Sequence, residues 1–288
     1  MFLSPSTYQL LDFGAGRKLE RVGGVILDRP SPAAEGISKQ QPALWREALV
    51  AFGMQSEKDW QHRQALPQAW RFTFAEVQLM LRPTPFGHIG VFPEQQMNWQ
   101  WFSQLPADPV HSKRCLNLFA YTGASTLALA KAGWQVTHVD ASRPTLLWAR
   151  DNAAASGLSE APIRWIQEDA LRFVEREVRR GNRYDLVLLD PPSYGHGPKG
   201  EAWNFERDMA GLLTAVFGVL VDRPVGVLWT GHSESELLRP MLREVKAEAE
   251  RLQLVAEKIE RATITDLTGR ELDFGYRVRW LNPLLANR

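Results

Sequence analysis

From about residue 113 onward the chain alternates strand patterns with helix patterns at regular intervals, and this constrains the fold more than any other feature. Strands are predicted over 115–119, 135–139, 163–167, 184–189 and 225–230, with helices over 125–131, 143–156, 171–180 and 205–220 between them. Leu186, Val187, Leu188 and Leu189 are apolar without alternation, as in a strand covered on both faces. Alternation of this length predicts a parallel sheet with helices on both sides. A charged helix is predicted over 234–252, most simply a solvated face. Two last strands, 255–265 and 272–281, read as an antiparallel hairpin at the sheet edge, joined across Thr268 and Gly269.

The part before residue 113 has a different texture. Residues 8–30 read as short strands around the turn Gly14-Ala15-Gly16, and 42–52 as a short helix with Pro42 at its start. Trp70, Phe72 and Phe74, then Val77, Leu79 and Leu81, alternate with a change of phase near Ala75-Glu76, which marks a turn or bulge. Five of the eleven tryptophans precede residue 110, and they are expected to fill a small core rather than to offer a stacking surface. The organisation expected is a small N-terminal domain over 1–105, a linker over 106–112 and a larger domain over 113–288. With 288 residues and 44% hydrophobic content, both can bury a core.

The net charge of +1 does not announce a nucleic-acid binder, though a local basic face would suffice for one. One cysteine allows no intramolecular disulfide, which points to a reducing compartment. The start of the chain lacks a basic, apolar leader, and no stretch nears the roughly 18 apolar residues of a spanning helix. A cytoplasmic protein with no membrane partner is expected. The six histidines show no metal spacing, so no metal site is expected.

Ligands of open α/β sheets bind beyond the carboxyl ends of the strands. The first strand runs into NLFAYTGAST, where Gly123 enters a helix among small residues, so backbone can approach a ligand. The dinucleotide pattern G-x-G-x-x-G is missing, because Phe119 and Tyr121 stand at its earlier glycines, which disfavours a pyrophosphate and with it a dehydrogenase. Asp140 ends the second strand, 17 residues after Gly123, near the distance at which an acid takes ribose hydroxyls. Asp169 ends the third, where it could accept from an adenine amino group, and Asp190 ends the fourth. Any one of these acids alone reads as a helix cap; three at successive strand ends form a constellation. An adenosine ligand with a short charged tail and no pyrophosphate, such as S-adenosylmethionine, fits it.

The stretches CLNLFAYTGASTLALAKAGWQVTHVDAS, QEDA and LVLLDPPSYGHGPKG resemble the class I S-adenosylmethionine-dependent methyltransferases. More narrowly, they are similar to the bacterial group of large-subunit ribosomal RNA methyltransferases acting on cytosine C5 and guanine N7. FGHIGVFPEQ resembles the segment that in this group precedes the core and closes over the cofactor. The resemblance covers residues 86–230 well and the C-terminal hairpin loosely. It implies a Rossmann-like, seven-stranded methyltransferase sheet with a C-terminal antiparallel hairpin, preceded by a small, mainly β domain. It also implies S-adenosyl-L-methionine as cofactor and RNA as substrate. By position, Phe119, Ala120, Tyr121, Thr122 and Gly123 would line the methionine part, with Thr126 behind them. Asp140 would hold the ribose diol, with Ala141 and Ser142 beside the adenine. Asp169 and Ala170 would meet the adenine edge, Gln95 would touch the cofactor, and Asp190, Pro191 and Tyr194 would line the methyl-transfer pocket.

The sequence departs from the group at one point. C5 chemistry needs a thiolate that adds to the pyrimidine ring. In the C5 members that cysteine follows the fifth strand, where this chain has Gly231 and His232. Its one cysteine, Cys115, opens the first strand and should be buried and inert. A nitrogen or oxygen acceptor asks only for positioning and desolvation. Asp190 and the carbonyl of Pro191 could take an amine's N–H bonds, with Tyr194 stacking on a planar substrate. Pro191 and Pro192 have fixed φ and no donor, so they hold carbonyls rigidly. The aromatic stands one place later than in amine methyltransferases with D-P-P-Y, because Ser193 intervenes. His196 and Lys199 lie in the loop that follows. The expected activity is methyl transfer to a nitrogen or oxygen of ribosomal RNA. The alternatives are a small-molecule or protein substrate, and a nucleotide-binding module without catalysis.

Overall fold

The computed structural model describes residues 8–53, 59–62, 67–105, 113–198, 200–232 and 235–286. The chain forms two compact units: Met1–Gln96 with Ala262–Phe274, and Met97–Arg261 with Gly275–Arg288. The expected linker, 106–112, lies outside the described residues.

The larger unit is built on the predicted sheet. Its parallel strands are β1 (Arg114–Leu118), β2 (Gln135–Asp140), β3 (Ile163–Gln167), β4 (Leu186–Leu189) and β5 (Gly226–Gly231). Their order across the sheet is β3, β2, β1, β4, β5. The chain therefore steps outward from β1 to β3 and crosses back to β4 on the other side. The switch in strand order falls between β1 and β4, where α/β sheets open a ligand crevice. All four residues of β4 and all six of β5 are buried, as uniform apolar runs require. Strand Glu271–Leu281 pairs antiparallel with β5, and Val255–Ala256 pairs with its far side. Strand Glu260–Thr265 completes the hairpin around Gly269, whose φ is +85°. With these, the sheet has eight strands.

Three helices of the larger unit begin where a polar side chain takes an otherwise unused backbone N–H. Ser142 accepts from Thr145 N at the start of α1 (Arg143–Ala155), and Asp169 from Arg172 N at the start of α2 (Ala170–Arg180). Asn204 accepts from Arg207 N at the start of α3 (Phe205–Gly218). The core includes Phe173, Tyr184, Phe217, Trp229 and Trp280, all fully buried.

The smaller unit holds a sheet of Tyr8–Gly14, Arg17–Val22, Val25–Pro30, Val50–Phe52 and Trp60–His62, with a separate hairpin of Trp70–Phe74 and Val77–Leu81. That hairpin turns at Ala75 and Glu76, both at positive φ, where the sequence changed phase. Trp45, Trp60 and Trp70 are buried, each indole donating to a partner: Asp12 Oδ2, Thr84 O and Val22 O. These three help fill the core of this unit, while the other two early tryptophans, Trp99 and Trp101, belong to the larger unit. Residues 262–274 contribute Leu272 and Phe274, which pack with Leu10 and Phe13. Arg270 donates to Asp12 and Asp266 and lies over the Phe13 ring.

Three elements differ from the sequence reading. Residues 42–52 form a single 3-10 turn, Leu44–Glu47, and then the strand Val50–Phe52, because pairing of Val50 with Leu27 overrides local helix preference. The charged helix divides into Ser235–Glu244 and Lys246–Arg251, since Val245 leaves helical geometry (φ −90°, ψ 0°) and buries its side chain. The strand expected over 255–265 is interrupted between Ala256 and Glu260.

Candidate active site at the carboxyl edge of the sheet

The strand register sets the predicted groups side by side. Leu118 pairs with Val139 and with Leu189, so Phe119, Asp140 and Asp190 each stand one residue beyond paired positions. Gln167 pairs with Asp140, which puts Asp169 two residues past the end of β3. Across the edge the order is Asp169, Asp140, the Phe119–Gly123 loop, Asp190. Adjacent strands lie about 4.8 Å apart, so the row runs across four neighbouring strand ends.

The loop after β1 is unusual in its backbone. Phe119 (φ +54°), Tyr121 (φ +50°) and Gly123 (φ +89°) all occupy the left-handed region. For Phe and Tyr this is sparsely populated and costs about 1–3 kcal/mol each, strain that persists only where the surroundings over-determine it. They do so here. Ala120 N donates to Val139 O at 3.1 Å, and Tyr121 N to Asp140 Oδ2 at 2.8 Å. Thr122 O accepts from the buried Asn152 Nδ2 at 2.9 Å, and Gly123 N donates to Ala120 O at 3.1 Å. A Cβ on Gly123 would stand 3.1 Å from the Cβ of Ala149, so the loop lies close against α1. Thr126 is fully buried under the loop, where its hydroxyl accepts from Asn117 Nδ2 and bonds His138 Nδ1, both at 2.9 Å. Burial pushes His138 down to about 3, so this imidazole stays neutral and serves as a brace.

Asp140 holds the second strand end to this loop. Its Oδ1 accepts from Ser142 N at 2.9 Å and its Oδ2 from Tyr121 N. Burial raises its carboxyl above the usual aspartate range, opposed by those two N–H groups. Each carboxylate oxygen can accept more than one bond, so capacity remains for hydroxyl donors. Ala141 offers its carbonyl to Gln167 Nε2 at 3.4 Å, and the Ser142 hydroxyl caps α1. Asp169 caps α2 through Oδ1, and Ala170 is buried at its first turn. The capping role therefore holds for Ser142 and for Asp169, and Asp169 also keeps its place in the row.

On the other side of the switch, Asp190 and the buried Pro191 follow β4 directly. The loop beyond them is ordered as a short hairpin, Tyr194–His196 with Ala202–Asn204. Trp203 Nε1 donates to Pro192 O at 2.7 Å, and Phe205 N to Ser193 O at 3.0 Å. Those two carbonyls serve the scaffold, and Asp190 and Pro191 stand just ahead of them at the end of β4. Tyr194 is 74% exposed. Lys199 lies outside the described residues.

Gln95 ends the 3-10 turn Pro93–Gln95 of the smaller unit. Cys115 is fully buried in β1, and burial together with Asp185 pushes its thiol well up, so it supplies no thiolate. A Cβ at Gly231 would meet the Tyr276 hydroxyl at 2.6 Å, so that position has no room for a side chain as the structure stands. Among the described residues no three His, Cys, Asp or Glu side chains are grouped to hold a metal ion. Among them, no helix is long and apolar enough to cross a membrane.

Sequence reasoning missed Trp203 and Asn152. Asn152 carries no local signal, since its meaning lies in a carbonyl 30 residues earlier. Trp203 stands just before the Asn204 cap, an aromatic where a solvated loop would not need one.

The family model of the S-adenosylmethionine-dependent methyltransferases matches residues 55–266. The ribosomal RNA large subunit methyltransferase K/L of Pseudoalteromonas atlantica is 34% identical over 195 residues, which are 67% of this chain and 24% of that one. Its counterpart in Methylococcus capsulatus is 35% identical over 48% of this chain and 18% of its own length. The chain thus spans a quarter or less of these curated relatives. The crystal structure of a SAM-dependent methyltransferase from Agrobacterium tumefaciens superimposes with a TM-score of 0.87 at 34% identity, covering 96% of this chain and 90% of that one.

Proposed function

This chain belongs to the S-adenosylmethionine-dependent methyltransferase family, and from that premise we propose that it methylates a nitrogen or oxygen of RNA, ribosomal RNA in particular, by direct in-line transfer in the cytoplasm. The observation that carries the choice of acceptor is the state of the one cysteine. Cys115 is sealed in β1 with a raised thiol pKa, and the edge of the sheet presents an acid followed by two prolines. A lone-pair acceptor needs no thiolate, only orientation and exclusion of water. The ribosomal RNA assignment draws on the names of the curated relatives.

S-adenosylmethionine supplies an electrophilic methyl group on a sulfonium. The residues present fit it: a strained loop with a glycine-lined approach, and beside it a carboxylate with acceptor capacity left. Asp140 accepts the ribose hydroxyls, with Ala141 and Ser142 beside the adenine. Asp169 and Ala170 meet the adenine edge. Phe119, Ala120, Tyr121, Thr122 and Gly123, backed by Thr126, hold the methionine part. At the acceptor, Asp190 and the Pro191 carbonyl take the N–H bonds of the target amine and turn its lone pair toward the methyl, while Tyr194 stacks on the base.

Mass spectrometry of ribosomal RNA nucleosides from cells with and without the gene tests this. One N- or O-methylated nucleoside should disappear with the gene and return when purified protein and S-adenosylmethionine are added to the unmodified RNA. Loss of a C5-methylpyrimidine would contradict the direct mechanism. Methyl incorporation into protein or small molecules instead would move the substrate. Cofactor binding with no incorporation anywhere would leave a nucleotide-binding module.

A further inference from the structure

We propose that Trp203 is a positioning residue that couples the cofactor loop to the methyl-acceptor segment. The name of each side rests on the methyl-transfer reading; the coupling itself rests on geometry. Trp203 lies in the second strand of the hairpin, opposite Gly195, and is buried. Its indole Nε1 donates to the carbonyl of Pro192 at 2.7 Å. Its ring stands 5.0 Å from that of Phe119, tilted by 57°. One side chain therefore grips the segment after β4 through a hydrogen bond and the loop after β1 through an aromatic contact.

Both grips fall on parts with little freedom. Phe119 is in the left-handed region, so the backbone that carries its ring is confined to a narrow conformational well. Pro192 has fixed φ, which leaves only ψ to reorient its carbonyl. One residue further, Ser193 O is held by Phe205 N, the first residue of α3. A ligand that settles the Phe119 loop thereby limits where Asp190 and Pro191 stand. At its tip the hairpin is tied back by the ion pair of Glu201 with Arg172 on α2 and by Gly197 N donating to Glu201 O at 2.7 Å. The tip ties would remain without Trp203, so the link between loop and segment can be cut while the hairpin keeps its anchors.

Hydrogen exchange read by mass spectrometry, with and without S-adenosylhomocysteine, tests the coupling. In the wild type the ligand should slow exchange both in the peptide over 117–123 and in the peptide over 193–205, including the Phe205 amide. Trp203→Phe keeps a ring against Phe119 and removes the N–H. Its loop peptide should still respond, while the ligand response of the 193–205 peptide should be lost. Without ligand, that peptide should exchange roughly fivefold faster, the change one net hydrogen bond makes to an opening equilibrium. Phe119→Leu cuts the link from the other side and should also uncouple the 193–205 peptide. A 193–205 response in both variants equal to wild type would overturn the proposal. So would loss of both responses in Trp203→Phe with a normal melting temperature, since Trp203 would then belong to the cofactor site itself. A wild type that binds S-adenosylhomocysteine but methylates no RNA overturns the substrate reading alone, because this readout needs no RNA.

Discussion

The loop Phe119–Gly123 and the segment running from Asp190 to Asn204 leave neighbouring strands at the same level of the sheet, yet they are held in opposite ways. The loop is fixed through its own backbone. Three of its five residues have positive φ, and bonds from Ala120, Tyr121, Thr122 and Gly123 fix it to β2, to α1 and to itself. The segment is fixed at its base by the Trp203 indole and by Phe205 N, and beyond that by its own two-stranded hairpin, which carries the exposed Tyr194. Backbone strain suits a small ligand of constant shape, because it fixes atoms within tenths of an ångström. Exposed side chains on a short hairpin suit a larger partner that must enter and leave. The two halves should therefore fail differently when altered.

The largest effect is expected on the cofactor side. Asp140→Ala removes a carboxylate expected to accept two charge-assisted bonds worth about 1.5–3 kcal/mol each, so S-adenosylhomocysteine affinity should fall about 10²–10⁴-fold by calorimetry. It also frees Tyr121 N and Ser142 N, which will loosen the loop. The same carboxylate predicts a pH dependence. Its folded pKa is raised by burial, so it takes up its proton at a higher pH than an ordinary aspartate. Wild-type affinity should accordingly decline on mild acidification, beginning above the usual aspartate range, and recover toward neutral pH. A flat profile down to the ordinary aspartate value would remove Asp140 from the ribose.

On the acceptor side, Asp190→Asn should lower turnover by roughly 10²–10⁴, the range for a positioned acid–base group. Kinetics with the identified RNA measure it, and normal turnover would reduce the Asp-Pro-Pro segment to a floor for the cofactor. Gly123→Ala sharpens the contrast from the other direction. The new Cβ meets Ala149 and forces a third non-glycine residue into the left-handed region, at about 1–2 kcal/mol. Thermal melting should show that loss, together with weaker cofactor binding. Cys115→Ser should do least. Turnover per folded molecule should be unchanged, with a loss of stability from burying a hydroxyl in β1. Lost turnover in a protein that still binds cofactor and melts normally would bring covalent chemistry back.

What was legible in the sequence was what is local or repeated. The parallel sheet shows in uniform apolar runs such as Leu186–Leu189, and Asp140, Asp169 and Asp190 show because each stands at or just past the end of a strand pattern. Left-handed geometry at Phe119 and Tyr121 could not be read, because neither residue type favours it; the bonds of Asp140 and Asn152 impose it from 19 and 30 residues away. The hairpin around Trp203 was hidden for the same reason, since Gly and Pro read as loop and the indole's partner is 11 residues back. Residues 42–52 look helical until Val50 finds Leu27. The contribution of 262–274 to the smaller unit rests on Arg270 meeting Asp12, 258 positions apart, which no local pattern carries.

The separation of the two sides is tested most directly by titrating S-adenosylhomocysteine into Asp190→Asn by calorimetry. The cofactor is assigned to Asp140, Asp169 and the Phe119–Gly123 loop, so the variant should bind within about twofold of wild type even though its turnover collapses, the pattern of an interaction made in the transition state. An affinity loss comparable to that of Asp140→Ala would contradict the account and make Asp190 part of the cofactor pocket.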